Sequence, residues 1–372
     1  MDDKNILIIA GEVSGDIHVA PVVSAMKEVD PGLRFWGTGG TLMRETGVEL
    51  LADIDEMAVM GFSDVPRVLP RLSRLKKAIL KRILRDSTSL VILVDYPGFN
   101  LNLAETIKKL KNPPPILYYI SPQVWAWRPG RIGKMKAVID KLAVIFPFEV
   151  DLFKSAGVDV EFVGHPLLDE LDTYLNEAPG TDKKSSLLAL LPGSRQQEIR
   201  RHLSLMIAAA ERLREDIPDI EIAIGRAPNL DEDVYRHFIE DKDWIGLHND
   251  TRQLVMSARI AAVCSGTATL ETALLGTPQV VVYKTSPVNF LIARRFVKLT
   301  RISLVNVVAG KEVVPELIQH NFTTQRLKDE LKRLWTDDDS RDRIKQDYEI
   351  IRQKLGEPGA AEKVAQMALG MI

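Results

Sequence analysis

Residues 186–198 read SLLALLPGSRQQE, and this stretch decides the fold. Leu187–Leu191 form an apolar run without polar alternation, Pro192 stops it, and Gly193 with Ser194 permit a tight turn. An amphipathic pattern then continues through Ile199 to Asp216. A strand with no polar face is buried on both sides, so helices must cover both faces of a parallel sheet. The design recurs at 260–271, IAAVCSGTATLE, where a β-rich run meets a Gly-containing turn and a helix start. Working outward, similar runs predict strands at Asn5–Ala10, Leu33–Gly37, Leu90–Val94, Pro115–Tyr119, Lys141–Ile145 and Val160–Val163. A second series falls at Ser186–Leu191, Ile220–Gly225, Ile245–Leu247, Ile260–Cys264 and Gln279–Tyr283. Helical patterns between them include Ala20–Val29, Leu101–Leu110, Ile199–Asp216 and Thr267–Leu275. The polar segment Asp169–Ser185, with Pro179-Gly180, separates the series. The expectation is two Rossmann-like, doubly wound α/β domains facing a cleft, residues 1–168 and 169–339. Helices over about 340–372, broken at 356–359, are expected to return to the first domain.

The 372 residues are 45% hydrophobic, which supports a sizeable core and excludes global disorder. Lys and Arg number 49 against 51 Asp and Glu, which argues against a generally basic nucleic-acid coat. A single cysteine, Cys264, allows no internal disulfide and fits a reducing compartment. The run Ile6–Ala10 is too short for a signal-peptide core. The most apolar longer stretch, Ile260–Tyr283, is interrupted by Gly266, Gly276 and Pro278. It reads as strand, turn, helix and strand, so no membrane span is expected.

Ligands of doubly wound sheets bind at the carboxyl ends of strands, so the loops that follow strands carry the functional reading. In the second half, the Gly193–Ser194–Arg195 turn opens a helix whose free N–H groups suit an anion, and Arg195 adds a phosphate-matched fork. Ser265, Gly266 and Thr267 repeat the arrangement, and Glu271 lies one helical turn on, placed to accept from ribose hydroxyls. Two such loops point to a nucleoside diphosphate. A capped helix with a surface Arg remains the plainer alternative for the first. Neither loop is a Walker motif, and GTGG at 37–40 lacks dinucleotide spacing.

In the first half, AGEVSGDIH at 10–18 sets Glu12, Ser14, Asp16 and His18 around two glycines, acidic chemistry suited to sugar hydroxyls or to capping. In VDYPGFN (94–100), Asp95 emerges at a strand end and is the leading general base; an Asx-turn is the alternative. ISPQVWAWRPGR (120–131) brings Trp125 and Trp127 near Arg128 and Arg131, for stacking on sugar or covering acyl chains, or for core packing. FPFE (146–149) and VGHP (163–166) follow later strands, and His165, as a lone histidine more often structural than catalytic, is a secondary candidate. No zinc spacing and no DxD pair occur, so neither a metal nor a cofactor is expected.

Residues 64–85, DVPRVLPRLSRLKKAILKRILR, carry eight cations against one acid. Val65, Val68, Leu69, Leu72 and Leu75 recur at helical spacing among Arg71, Arg74 and Lys76. The pattern suits the surface of an anionic membrane; a core-facing stripe is the alternative, and nucleic acid is disfavoured for want of aromatic residues. NFLIARRFVKLTR (289–301) has four cations and no acid. The near-neutral total thus covers two basic segments on an otherwise acidic chain.

Together these motifs resemble the lipid-A-disaccharide synthase family. The matching pieces are GEVSGD (11–16), AVMGFSDV (58–65), DYPGFN (95–100), SPQVWAWR (121–128), PFE (147–149) and VGHP (163–166). They continue with LPGSR (191–195), SGTATLE (265–271), SLVNVVAGKEVVPELIQ (303–319) and PGAAE (358–362). The resemblance covers nearly the whole chain. It implies a GT-B fold and an inverting transfer from UDP-2,3-diacylglucosamine to 2,3-diacylglucosamine 1-phosphate, giving a β-1,6-linked disaccharide 1-phosphate and UDP. It implies an essential role for Asp95 and for Arg195; their placement after strands makes Asp95 the expected base, assisted by Glu12, with Arg195 at the departing UDP. The UDP contacts are expected at 193–195, 265–267, Glu271 and Asn306. The acceptor sugar is expected at Ser14, Asp16, Asn100, Trp125 and Trp127. Peripheral attachment to the cytoplasmic face of the inner membrane follows, and a homodimer stays open. Two departures stand out: Gly98 replaces the second Asp of DxPDFN, and Val305 the Pro before Asn306. Another UDP-sugar enzyme of this fold, such as an N-acetylglucosaminyl transferase or a UDP-N-acetylglucosamine 2-epimerase, and a non-catalytic lipid- or nucleotide-binding module are the alternatives.

Overall fold

The computed structural model describes residues 4–57, 65–125, 130–177, 186–286, 290 and 301–372, with the backbone alone at 55, 56 and 65–68. The chain folds as two compact units, residues 1–176 with 355–372, and residues 177–354.

The first unit begins β1 (Asn5–Ala10), α1 (Val13–Val29), β2 (Arg34–Gly39), α2 (Thr41–Glu45), β3 (Glu49–Asp53), α3 (Ile54–Met57) and α4 (Val65–Arg85). It continues β4 (Thr88–Val94), α5 (Pro97–Ile107), β5 (Ile116–Tyr119), α6 (Arg131–Val138), β6 (Lys141–Val144), α7 (Phe148–Ser155), β7 (Val160–Phe162) and α8 (Pro166–Glu177). Its seven strands are parallel in the order β3-β2-β1-β4-β5-β6-β7. Ile6–Ala10 and Leu90–Val94 are buried, as unalternating apolar strands at a sheet centre must be.

The second unit runs β8 (Leu187–Leu191), α9 (Gln196–Asp216), β9 (Glu221–Gly225), α10 (Asp233–Ile239), β10 (Ile245–His248), α11 (Thr251–Ser257), β11 (Ile260–Cys264) and α12 (Thr267–Leu274). It ends β12 (Gln279–Tyr283), α13 (Leu304–Ala309), β13 (Glu316–Ile318), α14 (Thr324–Thr336) and α15 (Asp338–Leu355). Its parallel order is β10-β9-β8-β11-β12-β13. Both sheets are doubly wound, as expected, with the order reversing beside β1 and beside β8.

The unit bounds differ from the 168/169 division. The helical pattern of α8 carries Leu167, Leu168 and Leu171 inward, so the first unit keeps residues to 176. The tail also divides. In α15, Ile344, Tyr348 and Ile351 are buried in the second unit, where the Gln279 amide donates to the Tyr348 hydroxyl (3.3 Å). Only α16 (Ala360–Leu369) returns to the first unit, packing on α1. Its N-terminal amides at Gly359 (2.6 Å), Ala360 (3.4 Å) and Ala361 (3.2 Å) donate to the Asp169 carboxylate, an acid capping a helix N-terminus.

In α4 the apolar stripe turns inward. Ile79 and Ile83 are buried, and Leu72, Leu75 and Leu80 pack against the core of the first unit. Leu72 and Leu75, expected as membrane contacts, are thus partly buried against this core. Lys76 is half-buried and donates to the Asn102 side-chain oxygen (2.5 Å). The outward face carries Arg71, Arg74, Lys77, Lys81 and Arg85, with Leu69 and Leu84 also exposed. The side chains of Val65 and Val68, and most of 289–301, lie outside the described residues. No helix among the described residues is long and apolar enough to cross a membrane.

Candidate active site

Each unit gathers two motif loops where its strand order reverses. In the first unit, β1 and β4 are neighbours, with Ala10 opposite Val94, so the 10–18 and 95–100 loops leave the sheet side by side. In the second, β8 and β11 are neighbours, with Leu191 opposite Val263, and the 192–195 and 265–267 loops do the same. This is where open α/β sheets bind ligands.

Asp95 and Tyr96 both take left-handed backbone angles, φ 41° and 42°, which cost non-glycine residues roughly 1–3 kcal/mol each. The turn is held from several sides. The Asp95 N–H donates to the Tyr119 carbonyl (3.0 Å), and the Tyr118 hydroxyl donates to the Asp95 carbonyl (2.5 Å). The Asn100 amide donates to the carbonyls of Val94 (3.1 Å) and Asp95 (2.9 Å). Tyr96 reaches the Met57 carbonyl (3.0 Å), and its ring lies where a Cβ on Gly11 would be, 2.4 Å away, so only glycine fits there. Burial pushes the Asp95 carboxyl up to about 6, and the Glu12 carboxylate adds to the rise. A hydrogen bond from the Tyr96 backbone and the charges of His18 and Arg131 oppose it. Asp95 is thus a partly buried carboxylate that takes up a proton near neutrality, the property of a general base.

Glu12 is exposed at the N-cap of α1, and Ser14 is exposed in its first turn. Asp16 is buried: its carboxylate accepts from the amides of Gly40 (2.8 Å), Met43 (3.0 Å) and Leu42 (3.1 Å), capping α2. Asn100 is buried too, its amide committed to the β4 exit. Both side chains are buried, which corrects the expectation that they meet a sugar: the Asp16 carboxylate is spent on backbone amides, and the Asn100 amide donates to backbone carbonyls. Trp125 is half-buried, its indole N–H donates to Glu149 (3.2 Å), and its ring meets Phe146 and Phe148 edge-on. Trp127 and Arg128 lie outside the described residues. His165 is buried, accepts from the Leu167 amide (3.2 Å), and is pushed down to about 3 by burial, a neutral structural group.

In the second unit, Gly193 has φ 125°, and a Cβ there would strike the Glu198 side chain at 2.5 Å. The Glu198 carboxylate accepts from the amides of Ser194 (3.1 Å) and Arg195 (3.3 Å), so the N-terminus of α9 carries its own acid. The Arg195 guanidinium extends outward, 76% exposed, 3.6 Å from Glu198. Buried His202 bridges the Pro192 carbonyl (2.9 Å) and Lys284 (3.0 Å), fixing the loop's root. Ser265 donates to the Ile302 carbonyl (3.2 Å), while Gly266 faces open space. Glu271 pairs with Arg252 at 2.7 Å, so the carboxylate is oriented rather than unpaired among apolar neighbours. Asn306 is buried and clamps the amides of Val313 (2.7 Å) and Val314 (3.1 Å) and the Glu316 carboxylate (2.8 Å). Its expected UDP contact is corrected: it shapes the 303–316 loop instead. Burial raises the Cys264 thiol well above its usual range, leaving it unreactive.

Two groups escaped sequence reasoning. Glu149 is 1% exposed and accepts from Ser121, Trp125 and the Phe146 amide (3.3 Å). Burial pushes it up to about 7. Arg252 orients Glu271 from α11. Their partners lie 28 and 19 positions away in sequence, where no short motif can link them.

Comparison with known proteins was consistent across the chain. A family model described as lipid-A-disaccharide synthetase matches residues 6–371. The lipid-A-disaccharide synthase of Syntrophus aciditrophicus is 44% identical over 100% of this chain and 99% of its own. The S. aureus MnaA–UDP complex has TM-score 0.66 at 14% identity, covering 99% of this chain and 98% of that one. The calicheamicin glycosyltransferase CalG4 has TM-score 0.61 at 15% identity, covering 100% and 99%.

Proposed function

The chain belongs to the lipid-A-disaccharide synthase family, a family of GT-B glycosyltransferases, and from this premise we propose how its residues divide the reaction. The donor is UDP-2,3-diacylglucosamine and the acceptor 2,3-diacylglucosamine 1-phosphate. Asp95 takes the proton of the acceptor 6-hydroxyl as that oxygen attacks the anomeric carbon. The carbon–oxygen bond to UDP breaks, and its electron pair leaves on the β-phosphate. One in-line displacement inverts the anomeric centre and yields a β-1,6 disaccharide 1-phosphate and UDP. The raised affinity of Asp95 for a proton, at the first sheet's point of strand reversal, is the observation that carries this reading.

Glu12 supports Asp95 through its charge, and Ser14 stands exposed beside it for the acceptor. The nucleotide is assigned to the second unit. Arg195 and the open 265–267 turn meet the diphosphate, and Glu271, aligned by Arg252, meets the ribose. The MnaA–UDP likeness is consistent with a uridine nucleotide on such a fold. The deciding experiment is incubation with the two monosaccharide lipids and mass spectrometry for the disaccharide 1-phosphate and UDP. Absence of product from a folded enzyme would sink the assignment.

The exposed cations of α4 suit a peripheral contact with an anionic bilayer at the cytoplasmic face of the inner membrane, where acylated substrates would be met. Replacing Arg74, Lys77 and Lys81 by Gln should weaken sedimentation with anionic vesicles by about 100-fold, at roughly 1 kcal/mol per cation. Leu72→Ser should instead lower thermal stability with little change in vesicle binding. The opposite pattern would return the apolar stripe to the membrane. A UDP-sugar epimerase or a soluble nucleotide-binding module has no use for such a face.

A further inference from the structure

The mechanism above leaves one buried acid without a task. Glu149 sits in the first turn of α7, where the helix N-terminus favours negative charge. Everything bonded to it is a donor: the Ser121 hydroxyl, the Trp125 indole N–H and the Phe146 amide. A glutamine would bring two N–H groups into this ring of donors, so the geometry selects an acceptor-only carboxylate. None of these partners is a cation, and a buried carboxylate without one is costly unless its lone pairs are filled. Core packing alone would be served more cheaply by an apolar side chain.

The place of this acid is informative. Ser121 and Trp125 belong to the loop that leaves β5, and Asp95 is hydrogen-bonded to Tyr119 at the end of that same strand. Between them Ile120 takes φ 64°, a strained angle for a β-branched residue. The Trp125 ring is set edge-on against Phe148 (centroids 5.3 Å apart, 88°) and Phe146 (6.4 Å, 87°). Phe146 in turn stacks on Phe148 and touches His165. The charge of Asp95 is felt at Glu149. A strained loop beside the base is thus clasped by one carboxylate.

We propose that Glu149 is a positioning residue for the acceptor: by clasping the 121–125 loop it fixes the surface on which the acceptor sugar is held beside Asp95. This rests on the reading of Asp95 as the base. Glu149 touches no reacting atom; it acts through Ser121 and Trp125.

The test is steady-state kinetics on full-length Glu149→Gln, Ser121→Ala and Trp125→Phe, with donor and acceptor varied separately and thermal unfolding followed in parallel. Glu149→Gln should raise the acceptor KM by about 30-fold, with donor KM and kcat within about threefold of wild type. Ser121→Ala and Trp125→Phe each remove one donor and should raise acceptor KM by roughly 3–10-fold. If Glu149→Gln fails to fold, the other two variants carry the test. Equal loss in donor and acceptor constants, or lowered stability with unchanged kinetics, overturns the proposal. Asp95→Asn separates the two readings. If that variant keeps its turnover while Glu149→Gln still shows the acceptor-specific defect, the base assignment falls and the clasp stands.

Discussion

The two points of strand reversal differ in kind. In the first unit the loop after β4 is strained, tightly held, and carries a carboxyl whose proton affinity is raised by burial. In the second unit the loop after β8 places its positive φ at a glycine, where it costs no strain, has its amides satisfied by Glu198, and carries its charge on an exposed arginine. The same topology therefore serves two purposes. On the proposed reading, one site supplies the proton acceptor and the other a fixed charge whose protonation never changes. A displacement needs both, since the attacking oxygen must lose a proton and the leaving diphosphate must be stabilised.

The contrast can be broken first at Asp95. Asp95→Asn should lower kcat by about 10³-fold, within the range for loss of a general base, while UDP affinity by calorimetry is unchanged. Wild-type kcat should fall as pH drops through about 6, where Asp95 takes up its proton, and a flat profile there would remove it from the role. Arg195→Ala should cost about 10²-fold in kcat/KM without moving that limb, because it acts on charge rather than on a proton. If Arg195→Ala shifted the limb, the division between the units would be wrong. Glu271→Ala should weaken UDP binding by about tenfold and leave kcat at saturation near wild type. The remaining effect is on stability. The folded state holds the Asp95 proton more tightly than the unfolded chain does, so its penalty appears as pH rises from about 4 to about 6. Asp95→Asn should therefore be more stable than wild type by about 1–3 kcal/mol at pH 8, with the gain vanishing below about pH 4.

The central strands were legible because burial on both faces writes itself as an unbroken apolar run, as in Ile6–Ala10 and Ile260–Cys264. Strand β3, ELLAD, mixes acids with leucines at a sheet edge, and β13 has only three residues, so neither stands out from loop sequence. Helix α1 starts at Val13, ahead of the expected Ala20, because its first turns hold Ser14, Gly15, Asp16 and Pro21, residues that otherwise mark turns. Asp95 could be found at the end of an obvious strand. Asp16, Asn100 and Asn306 share the polarity of ligand-binding residues, yet their partners are groups of the chain itself, mostly backbone, that only folding brings near. Polarity in a loop reports that hydrogen bonds are needed, not whose they are. Glu149 inverts the lesson, since its neighbours in PFE look unremarkable until Ser121 and Trp125 arrive from upstream.

The cap that Asp169 places on α16 has a consequence in time. Helix α16 buries Ala361, Val364, Ala365 and Ala368 in the first unit, and it is made only after the whole second unit. A ribosome must translate residues 177–354 in between, which takes roughly 10–40 s at 5–20 residues per second. Throughout that interval the nascent first unit shows the face of α1 that α16 will cover. Premature termination near residue 355 would thus release a chain whose second unit is whole and whose first, the one holding Asp95, is open and prone to aggregate.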